Sequence, residues 1–158
     1  MTTTPALRRT PLLGLALLVA CGGEPPAETE GAPEAPAAAA ETAQATATVT
    51  ILEPTDGAEI AGPSVTVHLE ASGVRIVAAG DTTPGTGHHH LYLDEDLGPA
   101  GTLVPTVPGK VVHLGTGDSE YVFESVAPGT HRLIAVLADG AHVPLQPWVT
   151  DTVTFTVR

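Results

Sequence analysis

The feature that most constrains the fold is a repeated alternation of apolar and polar side chains in the C-terminal part of the chain. Ala47, Val49 and Ile51 alternate with threonines, and the same period of two recurs over residues 65–71 and 152–157. Because successive side chains of a β-strand point to opposite faces, this period is typical of strands that are buried on one side. No stretch has the apolar stripe of an amphipathic helix. The pattern therefore predicts a β-rich domain.

Four more segments have the composition of strands. They cover residues 89–93, 111–113, 121–124 and 130–138. Pairs of turn-forming residues separate the segments, as at Asp56-Gly57 and Pro128-Gly129. About seven short strands in about 110 residues are typical of a β-sandwich. We therefore predict an all-β, immunoglobulin-like antiparallel sandwich over residues 46–158, with Trp148 packed in its core or at its edge.

The N-terminus has a different composition. Residues 1–20 contain Arg8 and Arg9, no acidic residue, and an apolar run that ends at Cys21. A run of this length is too short to span a bilayer and is typical of a secretory signal. The segment Leu18-Val19-Ala20-Cys21 resembles the bacterial lipobox, in which the cysteine is acylated. We expect a lipoprotein signal peptide over residues 1–20 and a lipid on Cys21. The alternative is an ordinary cleaved signal followed by a chance cysteine.

Residues 21–45 are rich in proline, alanine and glutamate and contain no large apolar side chain. Such a segment cannot bury enough apolar area to offset its chain entropy, so we expect a disordered acidic linker. Acyl chains on Cys21 would anchor the protein without a transmembrane helix. Gly22, rather than aspartate, follows the cysteine, which resembles lipoproteins sorted to the outer membrane. In a double-membraned bacterium we therefore expect an envelope protein that faces the periplasm from the outer membrane.

The net charge excludes one class of partner. The chain has 6 basic and 18 acidic residues, a formal net charge of −12. Removal of residues 1–20 takes away two arginines and no acid, which leaves 4 basic and 18 acidic residues and a net charge of −14. Because such a protein repels phosphate backbones, we expect no nucleic-acid partner.

Histidines are the candidate functional groups. His88 and His90 lie two residues apart on a predicted strand and therefore project from one face, whereas His89 joins Leu91 on the other face. Side chains at this spacing are roughly 6.5–7 Å apart, close enough for two imidazoles to bind one ion. We predict a metal site formed by His88 and His90 and completed by His113 and His142. The alternative is that these imidazoles bond to backbone groups and have a purely structural role.

Further polar residues are expected around that site. We predict that four of them orient the imidazoles: Asp94, Glu120, His131 and Asp139. Of these, His131 is also the next candidate for a metal ligand. The only methionine is Met1 and the only thiol is that of Cys21, so a thioether or thiolate copper(I) site is excluded. Imidazole with carboxylate suits Cu(II), Zn(II), Ni(II) or Fe, and the sequence does not choose among them.

Other motifs carry less chemistry. The segment Asp94-Glu95-Asp96-Leu97-Gly98 has the spacing of oxygen ligands, but no EF-hand glutamate follows, which favours an acidic turn over a calcium loop. Residues 113–120 contain two glycines without the pattern or the following helix of a nucleotide-binding loop. A G-x-S-x-G nucleophile elbow is not present in the sequence. Hydrolase chemistry of the usual kind therefore has no visible nucleophile.

Several blocks of the sequence together resemble a bacterial family, domain-of-unknown-function family 4399. They are Gly85-Thr86-Gly87-His88-His89-His90-Leu91-Tyr92-Leu93-Asp94, His113-Leu114-Gly115-Thr116-Gly117 with Glu120, Pro128-Gly129-Thr130-His131-Arg132-Leu133, and Asp139-Gly140-Ala141-His142-Val143-Pro144 with Pro147. The resemblance extends from Ile51 to Val157. The family has glutamine and threonine where this chain has Asp118-Ser119. The resemblance implies small, exported, single-domain proteins with the same polar positions, and it implies no activity.

Three functions agree with these observations. The first, which we favour, is a lipid-anchored envelope domain that binds a divalent metal ion or a small cationic ligand at its histidine-rich end. The second is a non-catalytic structural or protein-interaction domain whose partner is an envelope protein or wall polymer. The third is an enzyme that uses the same metal, with Glu120 as general base. An open coordination position would distinguish the enzyme from the binding domain.

Overall fold

The computed structural model describes residues 46–158 of the chain. This range contains nine β-strands and no helix. The strands are β1 (Thr48–Glu53), β2 (Ala58–Ile60), β3 (Val65–Ser72), β4 (Arg75–Ile76), β5 (Thr86–Leu93), β6 (Val111–Leu114), β7 (Glu120–Phe123), β8 (Gly129–Ala138) and β9 (Thr150–Val157). The predicted all-β class is confirmed. The expected signal peptide, linker and lipidated Cys21 lie outside the described residues. Within them, no helix is long and apolar enough to cross a bilayer.

The strands form two sheets. The smaller sheet has the order β1-β3-β7 and is antiparallel throughout. The larger sheet has the order β2-β9-β8-β5-β4, and β6 also pairs with β5. Two of its pairs, β2 with β9 and β4 with β5, are parallel, so the sandwich is mixed rather than purely antiparallel as predicted. The strands that form the parallel pairs, β2 and β4, were not predicted because they are only three and two residues long, too short to show an alternation in the sequence.

The main core lies between the two sheets. Alternate residues of each long strand point inward, such as Val65, Val67 and Leu69 on β3 and Val153, Phe155 and Val157 on β9. The threonines between them on β9 are exposed or partly exposed. Burial of each such apolar side chain contributes about 1.5–3 kcal/mol, so the period of two fixes which face of each strand is inside.

A second apolar cluster covers the outer face of the larger sheet. Tyr92, Ile134 and Val136 point away from the main core and pack against Trp148, as expected, and against residues of the β5–β6 connection. That connection (residues 94–110) and the β8–β9 connection (residues 139–149) lie over this face. Because both faces of β5 are covered, all eight of its residues are buried.

Candidate metal centre

His88 and His90 lie on the covered outer face of β5. They share this face with Tyr92, whereas Leu91 and Leu93 point into the main core. His88 is 0% exposed and His90 is 1% exposed. His89 points the other way, as predicted, and its Nδ1 lies 3.0 Å from the carbonyl oxygen of Asp118. The strand period therefore places two imidazoles together in a buried position.

The other two predicted ligands, His113 and His142, are brought next to His88 and His90 by the tertiary structure. β6 pairs with β5 so that His113 lies directly opposite His90, and such cross-strand neighbours have Cβ atoms roughly 4.5–5.5 Å apart. His142 comes from the β8–β9 connection, just after the residue of β8 that pairs with His88 (Ala138). Three separate segments of the chain thus contribute to one cluster, which we call the four-histidine cluster: His88, His90, His113 and His142.

The four rings are in mutual contact. Their centroids are separated by 4.7 Å (His88–His90), 4.8 Å (His88–His113), 5.0 Å (His88–His142), 4.9 Å (His90–His113), 5.7 Å (His90–His142) and 4.5 Å (His113–His142). The Nε2 atoms of His88 and His90 are 2.9 Å apart. Nitrogen atoms of His88, His113 and His142 all lie within 4.8 Å of one another, so these three residues can share one metal ion.

The cluster has a buried floor and an open mouth. His88 and His90 form the floor, while His113 is exposed and His142 is half-buried. The Nδ1 atoms of His88 and His90, and the Nε2 atom of the neighbouring His89, are buried and have no hydrogen-bond partner in the described structure. An unpaired buried polar atom costs about 1–3 kcal/mol, so this stretch of β5 is not optimised for stability. A solvated ion can reach the floor from the side of His113 and His142.

Burial keeps the floor imidazoles neutral. It lowers the pKa of His88 to about 4, helped by the neighbouring imidazoles of His113 and His142 and opposed by the Asp139 charge. It lowers the pKa of His90 to about 3, helped by His88 and by the same two rings. The pKa of His113 is also lowered, mainly by burial and secondly by His142. Because neutral imidazole is the form that binds a metal, these ligands are ready at pH 7.

His142 is held in a strained backbone conformation. Its φ of 66° lies in the left-handed region, which is unfavourable for residues other than glycine and asparagine. The Asp139 carboxylate accepts hydrogen bonds of 2.9 Å from the backbone N–H groups of Ala141 and Val143, on either side of His142. The N–H of Val104 donates to the His142 carbonyl at 2.9 Å. Asp139 therefore acts on the site by fixing this loop, and not by bonding to an imidazole.

Gly115 is a contributor that the sequence analysis did not single out. The ring of His113 lies against it, and a Cβ at position 115 would be 2.4 Å from His113 Cε1. The Gly115 carbonyl accepts a 2.9 Å hydrogen bond from Ala79, which holds the turn in place. A glycine two residues after a strand histidine is the only sequence signal of this contact, and glycine is common in turns of every kind.

The remaining predicted site residues lie elsewhere. Asp94 and His131 form their own pair at 2.7 Å, at the end of β5 and β8 opposite to His88 and Ala138. His131 is seven residues from Ala138 along β8, about 23 Å at the usual rise of a strand. Glu120 lies on β7 of the smaller sheet, where its carboxylate is 3.7 Å from His68. The structure therefore does not bring these three residues to the four-histidine cluster.

The acidic segment after β5 is occupied by ion pairs. Lys110 contacts Glu95 at 2.7 Å, and Arg132 contacts Asp96 at 2.5 Å. These contacts, with the Asp94 hydrogen bonds to His131 and to the backbone of Arg132, agree with an acidic turn.

The fold and the site together define the class of protein. It is an all-β sandwich domain with a cluster of four histidines under the loops of its larger sheet. Residues 67–158 match the model of a domain of unknown function, DUF4399, and the chain belongs to that family. The match includes all four histidines of the cluster.

Similarity to curated proteins and to solved structures is low. No curated protein matches the sequence. Among solved structures, the chain is similar to an engineered protein whose crystal structure was determined at 1.98 Å, with 16% sequence identity and a TM-score of 0.41. The similarity covers 73% of this chain and 21% of that one, so this chain spans about a fifth of the length of that structure.

Proposed function

We propose that the protein is a lipid-anchored domain of the cell envelope that binds a divalent transition-metal ion at the four-histidine cluster. The observation that carries the proposal is the convergence of imidazoles from three segments, with nitrogen atoms of His88, His113 and His142 within 4.8 Å of one another. Zinc–nitrogen bonds are about 2.0–2.1 Å long, so modest rotations of the exposed rings bring these atoms to one ion.

The chemistry of the cluster supports a cation over a purely structural role. Structural histidines normally satisfy their ring nitrogens with side-chain or backbone acceptors, as His131 does with the Asp94 carboxylate and the Ala127 carbonyl. In the cluster, the hydrogen bond of the two floor rings joins the Nε2 atoms of His88 and His90, so these nitrogens face each other and not a backbone group. A formal net charge of −12 adds a long-range attraction for cations.

The envelope location in this proposal rests on the sequence. An apolar segment that ends in Leu18-Val19-Ala20-Cys21, and an acidic linker over residues 22–45, support a lipid on Cys21 that holds the sandwich away from the membrane surface. The test is a Cys21→Ser variant expressed in a bacterium that processes lipoproteins. We expect the wild-type protein in the membrane fraction and the variant in the soluble envelope fraction. Equal membrane association of both would refute the anchor.

Metal binding is tested by elemental analysis after equilibrium dialysis of the protein purified in detergent at pH 7.5. We expect about one metal ion per chain in the wild type. His142→Gly should bind less than one ion per chain, because glycine accepts the left-handed backbone but offers no ligand. Loss of a ligand should weaken affinity by at least the roughly 10–100-fold that removal of an outer-shell partner causes.

His68→Gln is the matched control, since His68 lies on the smaller sheet between Glu53 and Glu120. The control should retain the ion. Its loss from both variants, or a wild type without stoichiometric metal, would contradict the proposal.

A further inference from the structure

We infer that His90 is a fourth ligand, and that the four imidazoles enclose the ion as a tetrahedron, a geometry that selects zinc(II). The inference rests on the proposed metal binding and goes beyond it, because three histidines would leave an open position whereas four close the site. The arrangement of the rings, the Nε2 contact of His88 with His90 and the surroundings of the cluster each support it.

The six centroid distances are closer to those of a tetrahedron than to those of a square. With zinc–nitrogen bonds of about 2.0–2.1 Å, ring centroids lie about 3.2 Å from the ion, and four rings at tetrahedral corners are about 5.2 Å apart. In a square-planar site, neighbouring rings would be about 4.5 Å apart and opposite rings about 6.4 Å. The observed values run from 4.5 to 5.7 Å, and no pair approaches the separation of opposite corners of a square.

The Nε2 atoms at the floor of the cluster are slightly closer together than two zinc ligands. The Nε2 atoms of His88 and His90 are 2.9 Å apart. Two nitrogens on neighbouring corners of a zinc tetrahedron are about 3.3 Å apart, given bonds of about 2.0–2.1 Å. His90 is not among the three residues whose nitrogens already lie within 4.8 Å of one another, so a fourth bond requires a small opening of the Nε2 pair and rotation of the more exposed rings of His113 and His142. His90 belongs to the set because its Nε2 lies beside that of His88.

The surroundings exclude other ligands. The Asp139 charge acts on His88, but one oxygen of its carboxylate is held by two backbone N–H groups, and the residues whose ligand atoms lie within 4.8 Å of one another are all histidines. The cluster is therefore treated as an all-imidazole site. Zinc has no geometric preference from its d-electrons and accepts a tetrahedron, whereas copper(II) and nickel(II) favour square-planar or tetragonal sites. Copper(I) favours sulfur ligands, which the cluster does not contain.

A closed site changes the expected function. Structural and binding zinc sites have four protein ligands, while catalytic sites have three and keep a position for water or substrate. Four imidazoles around one ion therefore favour a protein that binds or buffers zinc over a metal-dependent enzyme.

The test is zinc K-edge X-ray absorption on the protein in detergent, loaded with one equivalent of zinc, with and without azide. We expect four nitrogen ligands at about 2.0–2.1 Å, all from imidazole, and no change with azide. In His90→Gln we expect three imidazoles and a response to azide. Zinc should also displace nickel(II) in an equimolar competition.

Three imidazoles plus a solvent oxygen in the wild type, or nickel bound at least as tightly as zinc, would overturn the closed tetrahedral site and leave metal binding intact. If the protein takes up neither zinc nor nickel, the proposed function fails as well. Because the wild-type spectrum alone counts the ligands, the inference is decided even if His90→Gln does not fold.

Discussion

At the scale of single residues, the cluster depends on a position that has no side chain. The ring of His113 lies where a Cβ at position 115 would be, so the absence of a side chain there leaves room for the ring in its observed direction. His113 is exposed, so without this support its ring would be free to turn toward solvent. Gly115 therefore positions a ligand that the strand alone does not orient.

We predict that Gly115→Ala weakens metal binding while the fold persists. The new methyl group displaces a side chain that can rotate into solvent, so the cost in stability should be about 1 kcal/mol or less, whereas affinity should fall by about 10–100-fold. Isothermal titration with zinc and urea denaturation measure the two effects. Gly98→Ala is the control, since a Cβ there meets only the Thr102 hydroxyl at 3.3 Å. Equal zinc affinity in the wild type and Gly115→Ala would show that the contact is incidental.

His142 shows a second residue-scale feature, a ligand that is strained by its backbone. A residue other than glycine in the left-handed region costs roughly 1–2 kcal/mol, and sites with such strain are often functional. The hydrogen bonds of Asp139 and Val104 to the loop maintain this conformation.

At the scale of elements, β5 has two faces with different roles. Leu91 and Leu93 pack in the main core, while His88 and His90 face the covering loops. The far ends of β5 and β8 are joined by another histidine, His131, whose ring bonds to Asp94 and to the Ala127 carbonyl. That pair is a structural element of the sheet and is remote from the cluster.

The His131–Asp94 pair gives the sheet a pH-dependent stability. Burial lowers the pKa of His131, but the hydrogen bonds to Asp94 and Ala127 and the Asp94 charge together raise the pKa by more, so the net shift is upward. A raised pKa contributes stability that is complete below the ordinary value of 6.5 and is lost as the pH rises through the folded-state value. Burial raises the pKa of Asp94, but its bonds to Arg132 and His131 lower it overall, so its contribution is lost only in acid.

We therefore predict that His131→Gln destabilises the protein more at pH 5.5 than at pH 8.5. The difference should be about 0.5–1 kcal/mol, because Asp94 is partly exposed and its pairing is screened by solvent. Urea denaturation of both proteins at both pH values measures it, with His68→Gln as a control on the smaller sheet. A loss of the same size at both pH values would rule out a charged pair.

At the scale of the whole molecule, two connections of the larger sheet cover a face that would otherwise be exposed. Residues 94–110 and 139–149 meet where Val104 donates to His142, and together they bury His88 and His90. Metal affinity and global stability are therefore coupled, since the ligands are spread over three segments that come together only in the folded protein.

Acid should destabilise the metal-free protein through the floor of the cluster. The pKa values of about 4 for His88 and about 3 for His90 lie below the ordinary 6.5. The stability that depends on these two imidazoles being neutral is therefore complete above pH 6.5, and it is lost as the pH falls toward their folded-state pKa values. Each proton taken up on unfolding lowers the free energy of unfolding by up to about 1.4 kcal/mol per pH unit. We predict a marked fall between pH 7 and pH 4.5.

Zinc should reverse this effect only where the imidazoles are neutral. At 100 times its dissociation constant, zinc should add about 2.7 kcal/mol to the free energy of unfolding at pH 7, and a chelator should remove the gain. Thermal unfolding at pH 7 and pH 4.5, with zinc or with EDTA, measures both effects. Stabilisation of the same size at pH 4.5 would place the metal on groups other than these histidines.

The sequence by itself determined the all-β class, the inward face of the long strands and the common face of His88 and His90, because these follow from the local alternation of side chains. Only tertiary structure decided that β4 and β6 share an edge of β5, that the loop of Asp139 places His142 over the same face, and that Asp94, Glu120 and His131 lie elsewhere. Those facts depend on pairing between distant segments, which the period of a single strand does not encode.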